Sequence, residues 1–317
     1  MTAYNRLSYP TRLTVDIHSY CNASCIMCPY PELSKKLPMG KMDWSLYEKI
    51  IDDFGEIGRR HDFRGRLGFC VMGEPFVEKD IIPYIQKAME QNLRINFTTN
   101  AALLRPEIVD RLNEIGFSGK FSISCHGIEP DTVKRIMGLD VSKILENVDY
   151  LAKNYPTDKL HITAIDVDWP LGERKKVLKH WKRYGIKVHS PIAGSRAGLV
   201  EGYEEGHVSD LAGCRSKRPL YHMAVAFNGD VVLCCNDMAR QVVVGNLKEN
   251  TIEEVWNSKR FLTYTDMVYG ERPAPDDFIC RSCEWAVSTS PRRDRLVKEF
   301  HRSKHKFARF VREFFHF

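Results

Sequence analysis

The chain has 317 residues, 43% hydrophobic and 28% charged, with a formal net charge of +6, which is ordinary for a soluble globular protein with a substantial core. The charge excess is local, because nine Lys/Arg and three Asp/Glu between Arg292 and Phe317 carry all of it. The body is therefore formally neutral, and the basic total is no argument for nucleic-acid binding by the main domain.

The beginning, MTAYNRLSYPTR, has no apolar run of signal-peptide length, and no stretch approaches the ~18–20 apolar residues that span a bilayer. A cytoplasmic location is expected. Thiols stay reduced there, so ten cysteines point to metal or catalysis rather than to a disulfide framework.

Along the chain, short apolar runs alternate with helical patterns. RLTVDI (12–17), GRLGFCV (65–71), RINFTT (94–99), KFSISC (120–125), HITAIDV (161–167) and IKVHS (186–190) read as strands, most of them too uniformly apolar for a half-exposed sheet. WSLYEKIIDDFGEI follows Asp43, the expected N-cap, and five more helical segments separate the later strands. This spacing predicts a parallel sheet with right-handed crossovers, a partial (β/α)6 TIM-type barrel two units short of the full eight. After Ser190, PIAGSRAGLVEGYEEGH is Gly-rich and marks a boundary. A hairpin centred on Asn228–Gly229 follows, then a strand, a turn and a helix, in a small cysteine-rich α+β segment. The expected domains are 1–195, 196–290 and a basic amphipathic helix over 291–317. Three readings compete for that tail: a helix docked on the body, which is favoured, a helix resting on a membrane surface, and a site recruiting an acidic partner.

CNASCIMCP (21–29) follows the first strand and places Cys21, Cys25 and Cys28 on one loop. Three thiolates can hold three irons of a cubane and leave the fourth open to a small chelating molecule. Zinc is the alternative, either with four closed ligands or with three and a water. Downstream, VMGEPF (71–76) falls after the second strand, TTN (98–100) ends the third, and SISCHG (122–127) ends the fourth.

Taken together, CxxxCxxC, GEP and these strand ends resemble the radical S-adenosylmethionine (SAM) superfamily over roughly residues 10–190. The resemblance implies a [4Fe–4S] cluster on Cys21, Cys25 and Cys28, with SAM on the open iron. One-electron cleavage of SAM then gives a 5′-deoxyadenosyl radical that removes hydrogen from a C–H bond. It also implies that Gly73, Glu74 and Pro75 form the loop contacting the methionine amino group, with Met72 replacing the family's first glycine. Met27 is implied to lie against adenine, and Asn100 and Ser124 to face the cofactor. Each has a plainer reading: Glu74 as a loop carboxylate, Asn100 as a turn cap, Ser124 as a strand residue.

Cys214, Cys234, Cys280 and Cys283 form a second set, with a closing CxxC. Spacing alone leaves zinc open. Beside the first set, and with GNLKENTIEEVWNSKRF, the segment resembles the twitch domain, the short form of the SPASM domain. That implies one auxiliary [4Fe–4S] cluster ligated entirely by protein. Cys70 reads as a core residue, whereas Cys125 and Cys235 are candidate hydrogen-atom donors.

The function expected from the resemblance is hydrogen abstraction from a polar small molecule, such as an aminocyclitol, amino sugar or related metabolite, most simply to oxidise it. An electron donor such as flavodoxin or ferredoxin is implied. The alternatives are a radical epimerase with a cysteine donor, a peptide-modifying maturase, disfavoured because no N-terminal extension suits leader binding, and a non-enzymatic zinc-stabilised module.

Overall fold

A computed structural model of the chain describes residues 4–167, 169–203 and 207–290. The first half alternates strand and helix: β1 (Arg12–Val15), α1 (Tyr30–Leu33), α2 (Trp44–Arg60), β2 (Arg66–Phe69), α3 (Ile82–Glu90), β3 (Arg94–Thr99), α4 (Pro106–Glu114), β4 (Lys120–Ser124), α5 (Pro130–Met137), α6 (Val141–Asn154), β5 (Leu160–Thr163), α7 (Glu173–Lys182) and β6 (Lys187–His189). Strands β1 to β6 pair in chain order, all parallel. This is the expected six-stranded partial barrel. Asp43 occupies the N-cap of α2, as the sequence predicts, although its side chain makes no capping hydrogen bond.

The strands are not uniformly apolar. Leu13, Leu67, Ile95, Phe121 and Ile162 face the helices and are at most 2% exposed. Rings of Phe69, Phe97 and Phe121 stack on adjacent strands, with centroids 5.2 and 5.5 Å apart. Tyr47 of α2 stacks on Phe69 at 6.3 Å, which fixes this side as the helix-covered core. The alternate positions, Thr14, Gly68, Asn96, Ser122 and His161, line an interior cavity of about 240 Å³. Parity along a strand puts successive side chains on opposite faces, so the barrel has an apolar outside and a polar lumen. The sequence reading erred here because Thr and Ile are equally good strand formers, and Thr, Ser and Asn in these runs sit at the lumen positions.

The second half comprises β7 (Leu211–Cys214), β8 (His222–Val225), β9 (Asp230–Val232), β10 (Val243–Asn246), α8 (Ile252–Trp256), α9 (Lys259–Val268) and β11 (Ala286–Ser288). The hairpin at Asn228–Gly229 is present, turning on Gly229 at φ +87°. It does not stand apart: β8 lies parallel to β1, so β8, β9 and β10 extend the barrel sheet to nine strands. Among the described residues, β7 and β11 form a separate antiparallel pair. A reciprocal Thr251/Glu254 capping box starts α8, and the Ser258 hydroxyl caps α9. The tail beyond Ser290 lies outside the described residues. No helix among the described residues is long and apolar enough to cross a membrane.

Candidate active site

The loop bearing the first three cysteines rises from the C-terminal end of β1 and is pinned from three sides. Ser24 and Ile26 donate backbone hydrogen bonds to the carbonyls of Met137 and Ile136 at 2.9 and 3.0 Å, satisfying groups the end of α5 would leave orphaned. Gly138 terminates α5 in the left-handed region at φ +68°, and a Cβ there would lie 2.1 Å from the Ser24 hydroxyl oxygen. The Tyr30 hydroxyl accepts from the Cys21 amide at 2.8 Å.

The loop after β2 closes the third side. The Glu74 amide donates to the Tyr20 carbonyl at 2.8 Å. Gly73 is pressed against the cysteine loop, where an added Cβ would meet the Tyr20 and His18 carbonyl oxygens at 2.8 and 2.9 Å. Asp16, buried at the end of β1, accepts from the amides of Val71 and Met72 at 2.5 and 3.1 Å. Burial raises its carboxyl to about 6, and those two amides oppose the rise. Cys70 is not a strand residue: β2 ends at Phe69, and Cys70 sits at φ +129° with its thiol on the Gly73 carbonyl. Its thiol lies in the field of Asp16, Glu74, Cys21 and Cys28.

Burial pushes the Cys21 and Cys25 thiols up to about 12, and both feel Cys28. Burial also raises Cys28, against the opposing charge of Arg196. The three thiols therefore share one electrostatic neighbourhood. Glu74 is 3% exposed. It accepts from the Thr99 hydroxyl at 2.6 Å, the Asn100 amide at 2.7 Å and the Phe76 amide at 3.4 Å. Burial raises its carboxyl to about 7 despite these bonds. Pro75 opens the short 3-10 turn that follows. Asn100 does two things at once: its carbonyl oxygen accepts from the Ala102 amide at 3.0 Å, and its amide donates to Asn22 of the cysteine loop at 2.8 Å. Met27 is buried within the hydrophobic core, and Ser124 is half-buried at the end of β4, in register with Thr163.

Cys125 is fully buried, with its thiol donating to the Gly127 carbonyl at 3.1 Å and raised to about 12 by burial. Next to it, His126 is neutral at pH 7, lowered to about 4 by burial and then by Arg196. Its Nδ1 accepts from the Ile165 amide at 3.1 Å, which leaves the ring proton on Nε2.

The second set is assembled by the β7–β11 pair, in which Cys214 lies in register with Ala286. Cys280 feels Cys234, Cys283 and Cys214, so the four thiols are mutual neighbours. The Cys283 sulfur accepts from the Trp285 amide and the Asn236 side chain at 3.4 and 3.5 Å. Arg218 lies among them, its guanidinium held protonated, against the opposing effect of burial, by Cys235, Cys234, Cys283 and Cys214. It also sits over the Trp285 ring, 5.3 Å from the centroid. Cys235 is half-buried beside Cys234.

The two sets are joined by the segment read in the sequence as a boundary loop. The Ser195 hydroxyl donates to the Ser282 carbonyl at 3.1 Å, and the Ala197 amide donates to the Glu284 carboxylate at 3.1 Å. Between them, Arg196 at φ +50° acts on Cys28, on His126 and on Glu284. Sequence reasoning missed Asp16, His126, Arg196, Arg218, Asn236 and Glu284. Position within SISCHG was an available signal for His126, and lumen parity with Arg12 and Thr14 for Asp16. Arg196 had none.

No group of three or more His, Cys, Asp or Glu side chains among the described residues has the spacing to hold a single metal ion. Within each set the thiols are close enough to feel one another, which an iron–sulfur cluster and a zinc site both require.

Comparison with known proteins agrees. Residues 15–168 match the radical SAM superfamily, and residues 214–284 match the iron–sulfur cluster-binding domain called SPASM. The S-adenosyl-L-methionine-dependent 2-deoxy-scyllo-inosamine dehydrogenase of Niallia circulans is 23% identical over 275 residues, covering 86% of this chain and 91% of that protein. The crystal structure of BtrN in complex with AdoMet and 2-DOIA superposes with a TM-score of 0.57 at 20% identity, covering 90% of this chain and 96% of that one. That of Streptococcus suis SuiB bound to precursor peptide SuiA gives a TM-score of 0.62 at 18% identity, covering 88% and 70%. At these identities the solved structures establish a shared fold. The two family matches imply a [4Fe–4S] cluster with SAM in the first half and auxiliary iron–sulfur chemistry in the second. The chain carries a radical SAM domain over residues 15–168 and a C-terminal iron–sulfur cluster-binding domain of the SPASM type over residues 214–284.

Proposed function

We propose that this enzyme oxidises an alcohol carbon of a polar ring compound, an aminocyclitol, amino sugar or related metabolite. The observation that carries the reading is the Ser195–Ala197 loop. Arg196 lies within electrostatic reach of Cys28 in one thiol set and of Glu284, adjacent to Cys283, in the other. A substrate held between the two sets is therefore near both. The similarity to a SAM-dependent aminocyclitol dehydrogenase over nine-tenths of that protein's length points to the same substrate class.

When bound, the first cluster and SAM supply homolytic C–H cleavage, and an auxiliary cluster supplies an acceptor for the electron left on the substrate. In this reading residues 1–195 bind SAM and 196–290 hold the auxiliary cluster. Cys21, Cys25 and Cys28 would hold the first cluster, a three-thiolate set that leaves room for SAM. Gly73 lets the loop after β2 reach the cysteine loop. The Glu74 carboxylate would face the SAM ammonium, whose positive charge would favour its ionised form. Pro75 and Asn100 fix that carboxylate's surroundings, Met27 and Ser124 line the cofactor pocket, and His126 is a neutral group on its wall. Cys214, Cys234, Cys280 and Cys283 close the second site against exchangeable ligands. Arg218 beside them offsets thiolate charge, which favours electron acceptance. Alcohol oxidation then balances as one hydrogen atom, one electron and one hydroxyl proton lost. Flavodoxin or ferredoxin is the proposed donor of the priming electron.

The test is mass analysis after anaerobic incubation with aminocyclitols or amino sugars, SAM and a strong reductant. A product lighter by two hydrogens, formed with one 5′-deoxyadenosine each, is expected. SAM cleavage without any carbonyl product across both classes would sink the reading. Epimerisation has support at one residue only. Cys235 is half-buried beside the second set, whereas the Cys125 thiol is locked onto the Gly127 carbonyl. An epimerase would instead add one deuterium to substrate in D2O.

A further inference from the structure

The strand N-terminal end of the barrel carries a band of cations, Arg12 half-buried and Arg66, Arg94, Lys120 and Lys187 exposed, that the function above does not use. Arg12, Arg66 and Arg94 are consecutive register partners on β1, β2 and β3, so their side chains leave the same face of neighbouring strands. Lys120 continues the band on β4, in register with Asn96, and Lys187 on β6 lies in register with His161. Adjacent strands are about 4.8 Å apart, and like charges side by side across a sheet repel. None of the ion pairs among the described residues involves any of these five cations.

Two cavities meet at this band. The lumen cavity of about 240 Å³ is lined by Arg12, Thr14, Lys120, Ser122 and His161 among others. A mouth cavity of about 420 Å³ lies below it, lined by Arg64, Arg94, Lys120 and Lys159. Asn96 and Lys120 line both, and no Asp or Glu lines either. The nearest buried histidine, His222, sits in register with Arg12, with its ring nitrogen 2.8 Å from the Thr14 hydroxyl. It offers no negative charge to offset the band. Uncompensated cations around a channel of hydroxyl and amide groups are the surroundings an oxyanion requires.

We propose that the basic end of the barrel binds a phosphate-type oxyanion between Arg12 and Lys120, and that the substrate carries it. The claim that the anion belongs to the substrate rests on the reading of the active site given above; the anion site itself does not. From Lys120 to Ser124 the strand rises about 13 Å at ~3.3 Å per residue. A phosphate at the lower end thus suits a substrate whose reacting carbon sits at the upper end, near Ser124, as in a phosphate or diphosphate ester of a polar ring. A free phosphate or nucleotide effector is the other source of the same chemistry.

The test uses the full-length, cluster-reconstituted enzyme and calorimetric titration with inorganic pyrophosphate. Saturable binding is expected. Arg12→Gln and Lys120→Gln should each weaken it about 10- to 100-fold, Lys120→Arg should retain it, and Lys143→Gln on the exposed face of α6 should leave it unchanged. Absence of binding to the wild type, or equal binding by all variants, overturns the site. A second arm compares an aminocyclitol with its phosphate ester. Tighter binding of the ester, lost in Lys120→Gln, supports the substrate's anion as occupant. Equal binding of the two overturns that assignment while the pyrophosphate result still judges the site. Neither arm depends on turnover, so loss of oxidation chemistry would not be confused with loss of the anion site.

Discussion

Replacing Gly73 by Ala puts one methyl group where the loop after β2 touches the cysteine loop. The added carbon would lie 2.8 Å from the Tyr20 carbonyl oxygen, 2.9 Å from that of His18 and 3.3 Å from the His18 ring. The first two obstacles are backbone, so relief requires moving the cysteine loop by several tenths of an ångström or breaking the 2.8 Å bond from the Glu74 amide to Tyr20. Overpacking costs about 1–3 kcal/mol, and the lost hydrogen bond about 1 kcal/mol more. For a chain of this size that total lowers Tm by roughly 3–6 °C. The same displacement moves Cys21, adjacent to Tyr20, relative to Glu74. SAM affinity should therefore fall by at least about tenfold while the second thiol set keeps its iron. Thermal melts and SAM titration of the anaerobically reconstituted protein report both effects. A Gly73→Ala enzyme with wild-type Tm and wild-type SAM affinity would show that the two loops are not braced against each other as described.

Three further expectations follow from the same geometry. Glu74 has a folded value of about 7 against an ordinary 4.5, so the native state holds the extra proton between those limits and stability falls as pH rises through that window. From pH 6 to 8, in the absence of SAM, the wild type should lose about 1 kcal/mol relative to Glu74→Gln, and denaturant titrations that show no such divergence would refute the buried carboxylate. Cys21→Ala and Cys280→Ala should each halve an iron content of about eight per chain, and only Cys280→Ala should retain SAM cleavage; a wild-type iron count in either would remove that cysteine from its set. Cys125→Ala should lower stability while sparing chemistry, because its thiol is enclosed by the core; loss of product at unchanged SAM cleavage would mean that this thiol reaches the substrate.

The fold was legible because each parallel strand has an apolar run of β-formers and each crossover helix an amphipathic stripe. Lumen polarity was harder to read, since Thr14, Thr98 and Ser122 sit inside those runs and parity matters only once the outer face is known. The docking of β8 on β1 left no local trace, because Arg12 and His222 pair across more than two hundred positions. The same reason hid Arg196. A Gly-rich stretch advertises a turn, and nothing in PIAGSRAG says that the Ser195 hydroxyl and the Ala197 amide bond Ser282 and Glu284. Spacing draws attention to Cys21, Cys25 and Cys28 and to the Cys280/Cys283 pair because neighbours on one short loop are local by construction, whereas Cys214 and Cys234 join that pair only through the fold. Cys70 was misread for the opposite reason: a positive φ at a non-glycine residue is a tertiary outcome.

The central claim is that Cys21, Cys25 and Cys28 leave one iron of a cubane free for SAM. It is tested most directly by EPR of the reduced Cys280→Ala/Cys283→Ala enzyme, which isolates the first cluster, recorded with and without SAM. The account predicts one [4Fe–4S] signal that changes shape when SAM is added and is followed by release of methionine and 5′-deoxyadenosine. A signal that SAM leaves unaltered, or no cubane at all, would contradict it.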